Sequence, residues 1–307
     1  MSALSRLLAP LVTALLLTIC AGCVDTAGRG DSIVVTTNIL GDLTAAVVGD
    51  AAEVTVLMNP GADPHHFAVS APQAARMERA DLIVHNGLGL EEGVARHVDA
   101  AVQAGVASLA VGELVEPLRY RPEVGADRPD PHFWTDPRRV ARAVEAIRDA
   151  VLAHTGADAA AIRARTETCL RELDDLDRWM TERLATVPAE RRKLVTNHHV
   201  FGYLAQRYGF EVIGAVLPGG TTLASPSASD LSELAVAVRT AGVPAIFADT
   251  AQPDRLARVL AAHAGLHVRV IGLQSESLSA PGAGAATYLE MMRTNTEAIV
   301  SGLTADG

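Results

Sequence analysis

Aromatic residues are scarce in this sequence and account for 4% of its 307 residues, whereas hydrophobic residues together account for 49%. A core with so few aromatic rings must be built from Val, Leu, Ile and Ala, which suits helices packed on a parallel sheet. The chain is also too long for one typical domain. These proportions favour an α/β protein with two lobes.

Basic residues are in deficit as well. Lys and Arg number 26 against 36 Asp and Glu, which gives a formal net charge of −10. Proteins bind nucleic acid largely by neutralising phosphates, so this composition argues against a nucleic-acid partner. A cationic ligand matches the charge of the chain better.

Long apolar runs are missing except at the beginning of the chain, where Leu7 to Ile19 follows Arg6. This run is shorter than the roughly 20 residues that a membrane-spanning helix needs. Small residues then precede Cys23, as they do before a signal-peptidase site. We therefore predict a signal peptide over residues 1–22, which is removed on export to an extracytoplasmic location.

Cysteine occurs at only three positions, 20, 23 and 169. The run from Cys20 to Cys23 resembles a lipobox, although Cys20 stands where leucine is usual. The resemblance implies that Cys23 becomes the acylated first residue of the mature chain and anchors it to a membrane. The alternative is an ordinary secretory signal and a periplasmic protein. With Cys23 acylated, Cys169 is the remaining thiol, and we expect no internal disulfide.

The rest of the chain alternates between strand and helix patterns, which is typical of parallel sheets with both faces covered. We predict a tether over residues 23–31, an N-terminal α/β lobe over 32–155, a linker helix over 156–187 and a C-terminal α/β lobe over 188–307. The predicted strands are 33–37, 53–58, 81–85, 106–111, 193–196, 211–216, 244–248 and 267–271. The predicted helices are 39–48, 72–79, 91–102, 136–154, 158–186, 200–207, 227–240, 254–263 and 285–303.

Three local features refine this outline. Residues 158–186 contain no proline or glycine and carry apolar residues at helical spacing, so one helix of roughly 40 Å could join the lobes; two helices with a bend are the alternative. Residues 116–131 contain four prolines and several charges, which predicts a surface loop. Asn38 is a candidate cap for the first helix.

Metal-capable side chains follow strands or precede helices at four places, where doubly wound folds hold their ligands. Two of them are Asp-Pro-His turns that end at His65 and His132, and the proline restricts the backbone before each imidazole. His198 follows a predicted strand in the run Asn-His-His-Val-Phe-Gly-Tyr. Glu276 follows the last predicted strand in the run Gln-Ser-Glu-Ser.

These motifs, in this order, resemble the zinc and manganese receptor family of bacterial ABC-importer solute-binding lipoproteins. The likeness lies in the Asp-Pro-His turn, the Asp-Pro-His-x-Trp run, the His-x-x-Phe-Gly-Tyr run and the late acidic residue, and it extends over nearly the whole mature chain. It implies two doubly wound parallel-sheet lobes joined by a long rigid helix, with a metal site in the cleft between them. It also implies a ligand set of His65, His132, His198 and Glu276.

The sequence departs from the family pattern at two places. Glu276 stands where aspartate is usual, and the added methylene moves the carboxylate outward, so the loop must retreat or the coordination must change. Ala68, Val69 and Ser70 stand where a Glu-Pro pair is common, which concerns packing more than ligation.

Several other residues remain alternatives. His66 and His199 could replace a neighbour or support it, and Asp249 could orient a ligand imidazole or cap a helix. Phe133 and Trp134 are expected to shield the site. The remaining histidines, which lack a motif, are expected to be packing or surface residues: His85, His97, His154, His263 and His267.

Three imidazoles and one carboxylate suit tetrahedral Zn²⁺, whereas Mn²⁺ prefers more oxygen donors. The resemblance implies a monomeric zinc receptor, not an enzyme, that delivers its ion to importer permease subunits, with a metallochaperone as a candidate loading partner. A manganese receptor of the same fold is one alternative. A secreted zinc hydrolase is another, although the sequence contains neither His-Glu-x-x-His nor Gly-x-Ser-x-Gly. A surface adhesin would use the exterior of the same fold.

Overall fold

The computed structural model describes residues 31–120, 127–217, 219–264 and 268–304. The predicted signal peptide, Cys23, most of the tether and His267 lie outside these ranges. Among the described residues, none of the helices is both long and apolar enough to cross a bilayer. Everything described below belongs to the compact unit that begins at Asp31.

Each lobe contains a parallel sheet of four strands. In the first lobe the strand order is β2-β1-β3-β4, and in the second it is β6-β5-β7-β8. The strands are β1 Ser32–Val35, β2 Glu53–Val56, β3 Leu82–His85, β4 Ala107–Ala110, β5 Lys193–Thr196, β6 Glu211–Ala215, β7 Ala245–Asp249 and β8 Arg269–Leu273. The second sheet therefore repeats the topology of the first, although the sequence shows no repeat.

Helices cover both sheets. They are α1 Asn38–Val48, α2 Ala71–Met77, α3 Glu92–Gln103, α4 Pro137–His154, α5 Ala159–Leu184, α6 Gly202–Tyr208, α7 Ala228–Ala241, α8 Arg255–Ala264 and α9 Tyr288–Thr304. Short 3-10 helices occupy Val111–Leu114, Phe133–Thr135 and Ala189–Arg191. The predicted α/β fold with two doubly wound parallel sheets is confirmed.

Alternation along the strands divides the apolar residues between the two faces of each sheet. In β1, Ile33 and Val35 belong to a large core that continues into the second lobe, whereas Val34 packs with Met77 and Val94 on the opposite face. The large core also includes Phe247 of β7. Because one core runs through both lobes, they are packed together rather than loosely tethered.

The linker α5 is a single helix of 26 residues, so the alternative of two helices with a bend is wrong. At 1.5 Å per residue it is about 39 Å long. It packs against α1 and α4 of the first lobe and against α9 of the second. A rigid connection between the lobes follows from these contacts.

One local prediction is wrong, and another holds only in part. Thr37, not Asn38, caps α1, because its side chain accepts the Leu40 N–H. The described parts of the proline-rich segment are not purely surface, since Tyr120 and Asp130 are 9% and 3% exposed. Proline and charge in the sequence indicate an irregular backbone, but they do not show that its side chains turn inward.

Asp177 of α5 joins helices of both lobes. Its carboxylate accepts hydrogen bonds from Nε of Arg138 on α4 at 3.1 Å, and from Nε of Arg207 at 3.0 Å and the Tyr208 hydroxyl at 2.9 Å on α6. Burial on its own would raise the pKa of Asp177, but the hydrogen bonds from Arg207, Tyr208 and Arg138 outweigh it and lower the pKa below its ordinary value.

We predict that Asp177→Asn destabilises the protein by about 1–2 kcal/mol at pH 7, because hydrogen bonds to a charged acceptor are lost. A carboxyl group whose pKa is lower in the folded state stabilises the fold above its unfolded pKa, and this contribution is lost as the pH falls through the folded pKa. In urea unfolding, the difference in the free energy of unfolding between wild type and Asp177→Asn should therefore be constant above about pH 5. It should become smaller below about pH 4.

Asp175→Asn is the matched control, because Asp175 lies on the same helix with an exposed side chain and one surface ion pair, to Arg178. We expect its effect on the free energy of unfolding to be close to zero. If the difference in the free energy of unfolding between Asp177→Asn and wild type did not change with pH, the charge of Asp177 would not be what stabilises the fold.

Candidate metal centre

The two Asp-Pro-His turns use the same backbone device. Oδ1 of Asp63 accepts the His65 N–H at 2.8 Å, and Oδ1 of Asp130 accepts the His132 N–H at 3.0 Å. The intervening proline fixes φ, so the aspartate side chain can accept a hydrogen bond from the backbone N–H of the histidine two residues later. Each turn thereby sets the direction in which its imidazole leaves the chain.

Four side chains from both lobes converge. One nitrogen or oxygen atom from each of His65, His132, His198 and Glu276 can be chosen so that all four lie within 4.8 Å of one another. Nε2 of His65 lies 3.4 Å from Nε2 of His132. The Glu276 carboxylate lies 3.8 Å from the His65 nitrogen, 3.7 Å from that of His132 and 3.0 Å from that of His198. Two of these residues come from each lobe.

The dimensions of this group suit a tetrahedral ion. A zinc ion with ligand bonds of about 2.0–2.1 Å has ligand atoms roughly 3.4 Å apart. The four separations above scatter around that value. All four residues are buried, with exposures of 4% for His65, 1% for Glu276 and 0% for the other two.

His198 and Glu276 are distinguished by buried polar atoms that have no hydrogen-bond partner. Both ring nitrogens of His198 and both carboxylate oxygens of Glu276 lack hydrogen-bond partners, since the 3.0 Å approach between the two residues is not aligned as a hydrogen bond. Buried polar atoms are nearly always satisfied in proteins. A cation bound between these atoms would supply the missing interactions.

The protonation preferences of the group agree with this chemistry. Burial, followed by the neighbouring His132 and His198, lowers the pKa of His65 to about 2. Burial is also the main cause that lowers the pKa of His132 and of His198. Neutral imidazoles have lone pairs free for a metal. Burial, reinforced by the charges of Asp249, Asp63 and Asp130, raises the pKa of Glu276. The charged carboxylate is therefore disfavoured here unless a positive charge lies beside it.

The ring of His132 is oriented by two polar groups that lie close to its Nδ1 atom. Its Nδ1 lies 2.8 Å from Oδ1 of Asp130 and 3.0 Å from the Tyr120 hydroxyl, which leaves Nε2 facing the other candidate ligands. Burial raises the pKa of Asp130 to about 7, against the opposing effect of hydrogen bonds from His132 and Tyr120. Carboxylate–histidine pairs of this kind fix ring orientation in metal sites.

The loop that carries Glu276 is held on both sides. Asp249 accepts hydrogen bonds from the Ser275 N–H at 3.2 Å and from the Ser275 hydroxyl. From the first lobe, Trp134 Nε1 donates to the Ser275 carbonyl at 2.8 Å, and Asn38 Nδ2 donates to the Ser277 hydroxyl at 2.7 Å. The loop position therefore depends on both lobes.

These contacts rule on the alternatives for Asp249 and extend the expectation for Trp134. The Asp249 carboxylate accepts hydrogen bonds from Ser275 and from the Ala251 N–H at 2.6 Å, and none of the described hydrogen bonds joins it to an imidazole. It does not cap α8 either, because α8 begins only at Arg255. Trp134 does shield the site, with its ring centroid 5.3 Å from that of His132, and it also anchors the Glu276 loop.

The Phe-Gly-Tyr run after His198 supports the opposite lobe. The Tyr203 hydroxyl donates to the Asp130 carbonyl at 2.7 Å and accepts the Leu118 N–H at 2.9 Å. A Cβ atom on Gly202 would lie 2.8 Å from Oδ2 of Asp130, closer than such contacts allow. Glycine at position 202 therefore leaves room for the carboxylate that orients His132.

The other histidines that the structure describes do not join the group. His66 has a side chain that is 51% exposed, with Nε2 4.0 Å from the Asp63 carboxylate. His199 lines a separate open cavity of about 660 Å³ beside Tyr120 and Asp130. His85, His97 and His154 are likewise absent from the group.

Sequence reasoning missed the residues that position the candidate ligands. The Asp-Pro-His motif contains both aspartates, but it suggested only a rigid turn and not a carboxylate behind the imidazole. Tyr120 carried no signal at all, because it lies in a segment whose prolines indicated a surface loop.

Comparison with known proteins gives consistent results. The family model described as zinc-uptake complex component A, periplasmic, matches residues 33–302. The zinc-binding protein TroA of Treponema pallidum is 32% identical over 287 residues, covering 92% of each chain. The manganese-binding lipoprotein MntA of Halalkalibacterium halodurans is 28% identical, covering 90% of this chain and 89% of its own.

Solved structures give the same picture. The periplasmic zinc-binding protein TroA superposes with a TM-score of 0.83 at 29% identity, covering 90% of this chain and all of the other. A manganese-bound periplasmic metal-binding protein from candidatus Liberibacter asiaticus superposes with a TM-score of 0.78 at 25% identity, covering 89% and 99%. Similar proteins therefore include some named for zinc and some named for manganese.

We predict that Gly202→Ala weakens metal binding at this centre about tenfold, because the new methyl group displaces the Asp130 carboxylate and releases the His132 ring. Competition titration against a chelator measures this change. Gly156→Ala is the matched control, since its Cβ would lie an acceptable 3.4 Å from Asp31 at the α4–α5 junction. Equal affinities for Gly202→Ala and wild type would show that position 202 does not act on His132.

Proposed function

Because the chain belongs to the periplasmic zinc-uptake component A family, the metal-binding solute receptors of ABC importers, we propose that it captures extracytoplasmic Zn²⁺ and delivers it to an importer. The ion is the transported substrate, held by His65, His132, His198 and Glu276. The observation that carries the proposal is the convergence of three buried imidazoles and one buried carboxylate from the two lobes.

Zinc is favoured over manganese by the donor set. Three nitrogen atoms and one carboxylate suit tetrahedral Zn²⁺, whereas Mn²⁺ prefers six ligands that are mainly oxygen. The enclosed site also leaves little room for water molecules that would complete an octahedron, since every candidate ligand is at most 4% exposed. The extra methylene of Glu276 is accommodated because its carboxylate still reaches all three imidazoles.

Capture is favoured over hydrolysis by the position of Glu276. A zinc hydrolase keeps one coordination position open for water and places a general base beside it. Here the only acidic side chain in the group lies 3.0 Å from His198 and within 3.8 Å of the other two imidazoles, in the place of a fourth ligand. An ion with four protein ligands has no water to activate.

Delivery requires a partner. The long α5 helix and the shared core resist large hinge bending, so we infer that metal binding changes the angle between the lobes only slightly. Release then requires the importer's permease subunits to move a loop or one lobe. Cys23 as a lipid anchor would keep the receptor close to those subunits, and a metallochaperone remains a candidate for loading.

We predict that wild type binds one Zn²⁺ and that His65→Ala lowers this affinity on the order of 100-fold, because one of four metal bonds is lost. His66→Ala is the matched control from the adjacent position, where the side chain is half-exposed and outside the group. Chelator competition with Zn²⁺ and with Mn²⁺ measures affinity and preference. Equal losses in the two variants, or stronger binding of Mn²⁺, would contradict the assignment.

Glu276 has its own test. We predict that Glu276→Asp retains zinc binding, since a carboxylate is still present, and that Glu276→Ala weakens it on the order of 100-fold. The measurement is the same zinc titration. Wild-type affinity in Glu276→Ala would show that the carboxylate is not a ligand and would favour the hydrolase alternative.

A further inference from the structure

All four loops that leave the carboxyl ends of the second sheet reach the first lobe or the metal group. The loops after β5 and β8 supply His198 and Glu276. The loops after β6 and β7 supply Thr222 and Gln252, which are not in the group. These last two residues share a single target in the first lobe, Asp63.

Asp63 is a bridge between the lobes. Its Oδ1 accepts the His65 N–H at 2.8 Å, and its Oδ2 accepts the Thr222 hydroxyl at 2.5 Å and Nε2 of Gln252 at 2.5 Å. Asp63 and Thr222 are buried, at 7% and 6% exposure. The two residues of the second lobe thus hold the carboxylate that sets the His65 backbone.

The second Asp-Pro-His turn is built differently. Asp130 makes the same bond to its histidine backbone but also directs Oδ1 to Nδ1 of the His132 ring. Asp63 instead directs its other oxygen across the lobe boundary. The two turns therefore differ in their carboxylates: that of Asp130 orients an imidazole of its own lobe, whereas that of Asp63 is bound by two side chains of the opposite lobe.

We propose that Thr222 and Gln252 form a latch on Asp63 that sets how fast the bound ion leaves. The inference rests on the proposed function. Separating the lobes at this point breaks both latch bonds, and the Asp63 carboxylate then keeps only contacts within its own turn, to the His65 N–H and the His66 ring. The turn that presents His65 is loosened at the same moment, so opening and loss of a metal ligand are coupled. Thr222 and Gln252 are positioning residues that do not touch the ion.

The test uses the full mature chain loaded with Zn²⁺ and mixed with excess chelator in a stopped-flow instrument. Thr222→Val keeps the side-chain volume and removes the donor, so we expect zinc release about tenfold faster. We expect an unchanged association rate, because neither latch residue belongs to the group of candidate ligands, and an unchanged stoichiometry of one. Thr222→Ser restores the hydroxyl and should restore the wild-type release rate.

Thr221→Val is the matched control, since the Thr221 hydroxyl accepts the Leu223 N–H within its own loop. It should release zinc at the wild-type rate. Gln252→Leu removes the second donor from a different loop and should accelerate release as Thr222→Val does. If Thr222→Val does not fold, the zinc release rate of Gln252→Leu alone tests the latch.

The outcomes separate the two proposals. Wild-type protein that binds no Zn²⁺ would overturn the proposed function and the latch together. Normal binding, with Thr222→Val and Gln252→Leu releasing zinc at the wild-type rate, would overturn the latch alone. Equal acceleration by Thr221→Val, slower association in place of faster release, or no rescue by Thr222→Ser would likewise overturn it.

Discussion

The structure depends on one electrostatic constraint: three imidazoles and a carboxylate are enclosed between two lobes, and two of these residues have no hydrogen-bond partners. Each buried polar atom without a partner costs about 1–3 kcal/mol. The shared core and the α5 helix hold the lobes together against that cost. Under the proposed function, a divalent cation bonded to the unpartnered atoms would remove this cost, so the burial of these groups favours metal binding.

Carboxylates surround this centre without belonging to it. Asp63, Asp130 and Asp249 each act on the Glu276 carboxyl as nearby negative charges and raise its pKa. Each also has a mechanical function: Asp63 and Asp130 fix histidine backbones, and Asp249 fixes Ser275 beside Glu276. The same residues that position the candidate ligands therefore also supply negative charge that favours a cation at this centre.

The fold was predictable because its signals are local. The strand β5 has the predicted bounds, and the continuous apolar spacing of α5 gave one helix. The residues brought together at the centre were predictable from short motifs. The contacts behind them were not: Tyr120 lies in a segment whose prolines indicated a surface loop, and Asn38 binds a partner distant in sequence, Ser277. Neither local propensity nor spacing carries information about a partner 239 residues away.

The two lobes have the same strand order but contribute different structural elements to the cleft between them. In the described part of the second lobe, each of the four strands is followed by a loop that reaches the boundary, through His198, Thr222, Gln252 or Glu276. The first lobe presents two Asp-Pro-His turns there. Tyr203 supports the Asp130 turn, Trp134 supports the Glu276 loop, and Thr222 holds the Asp63 turn. Each lobe thus positions candidate ligands that belong to the other. A small displacement of one lobe must therefore disturb candidate ligands on both sides, which under the proposed function would let a partner release the ion without unfolding either lobe.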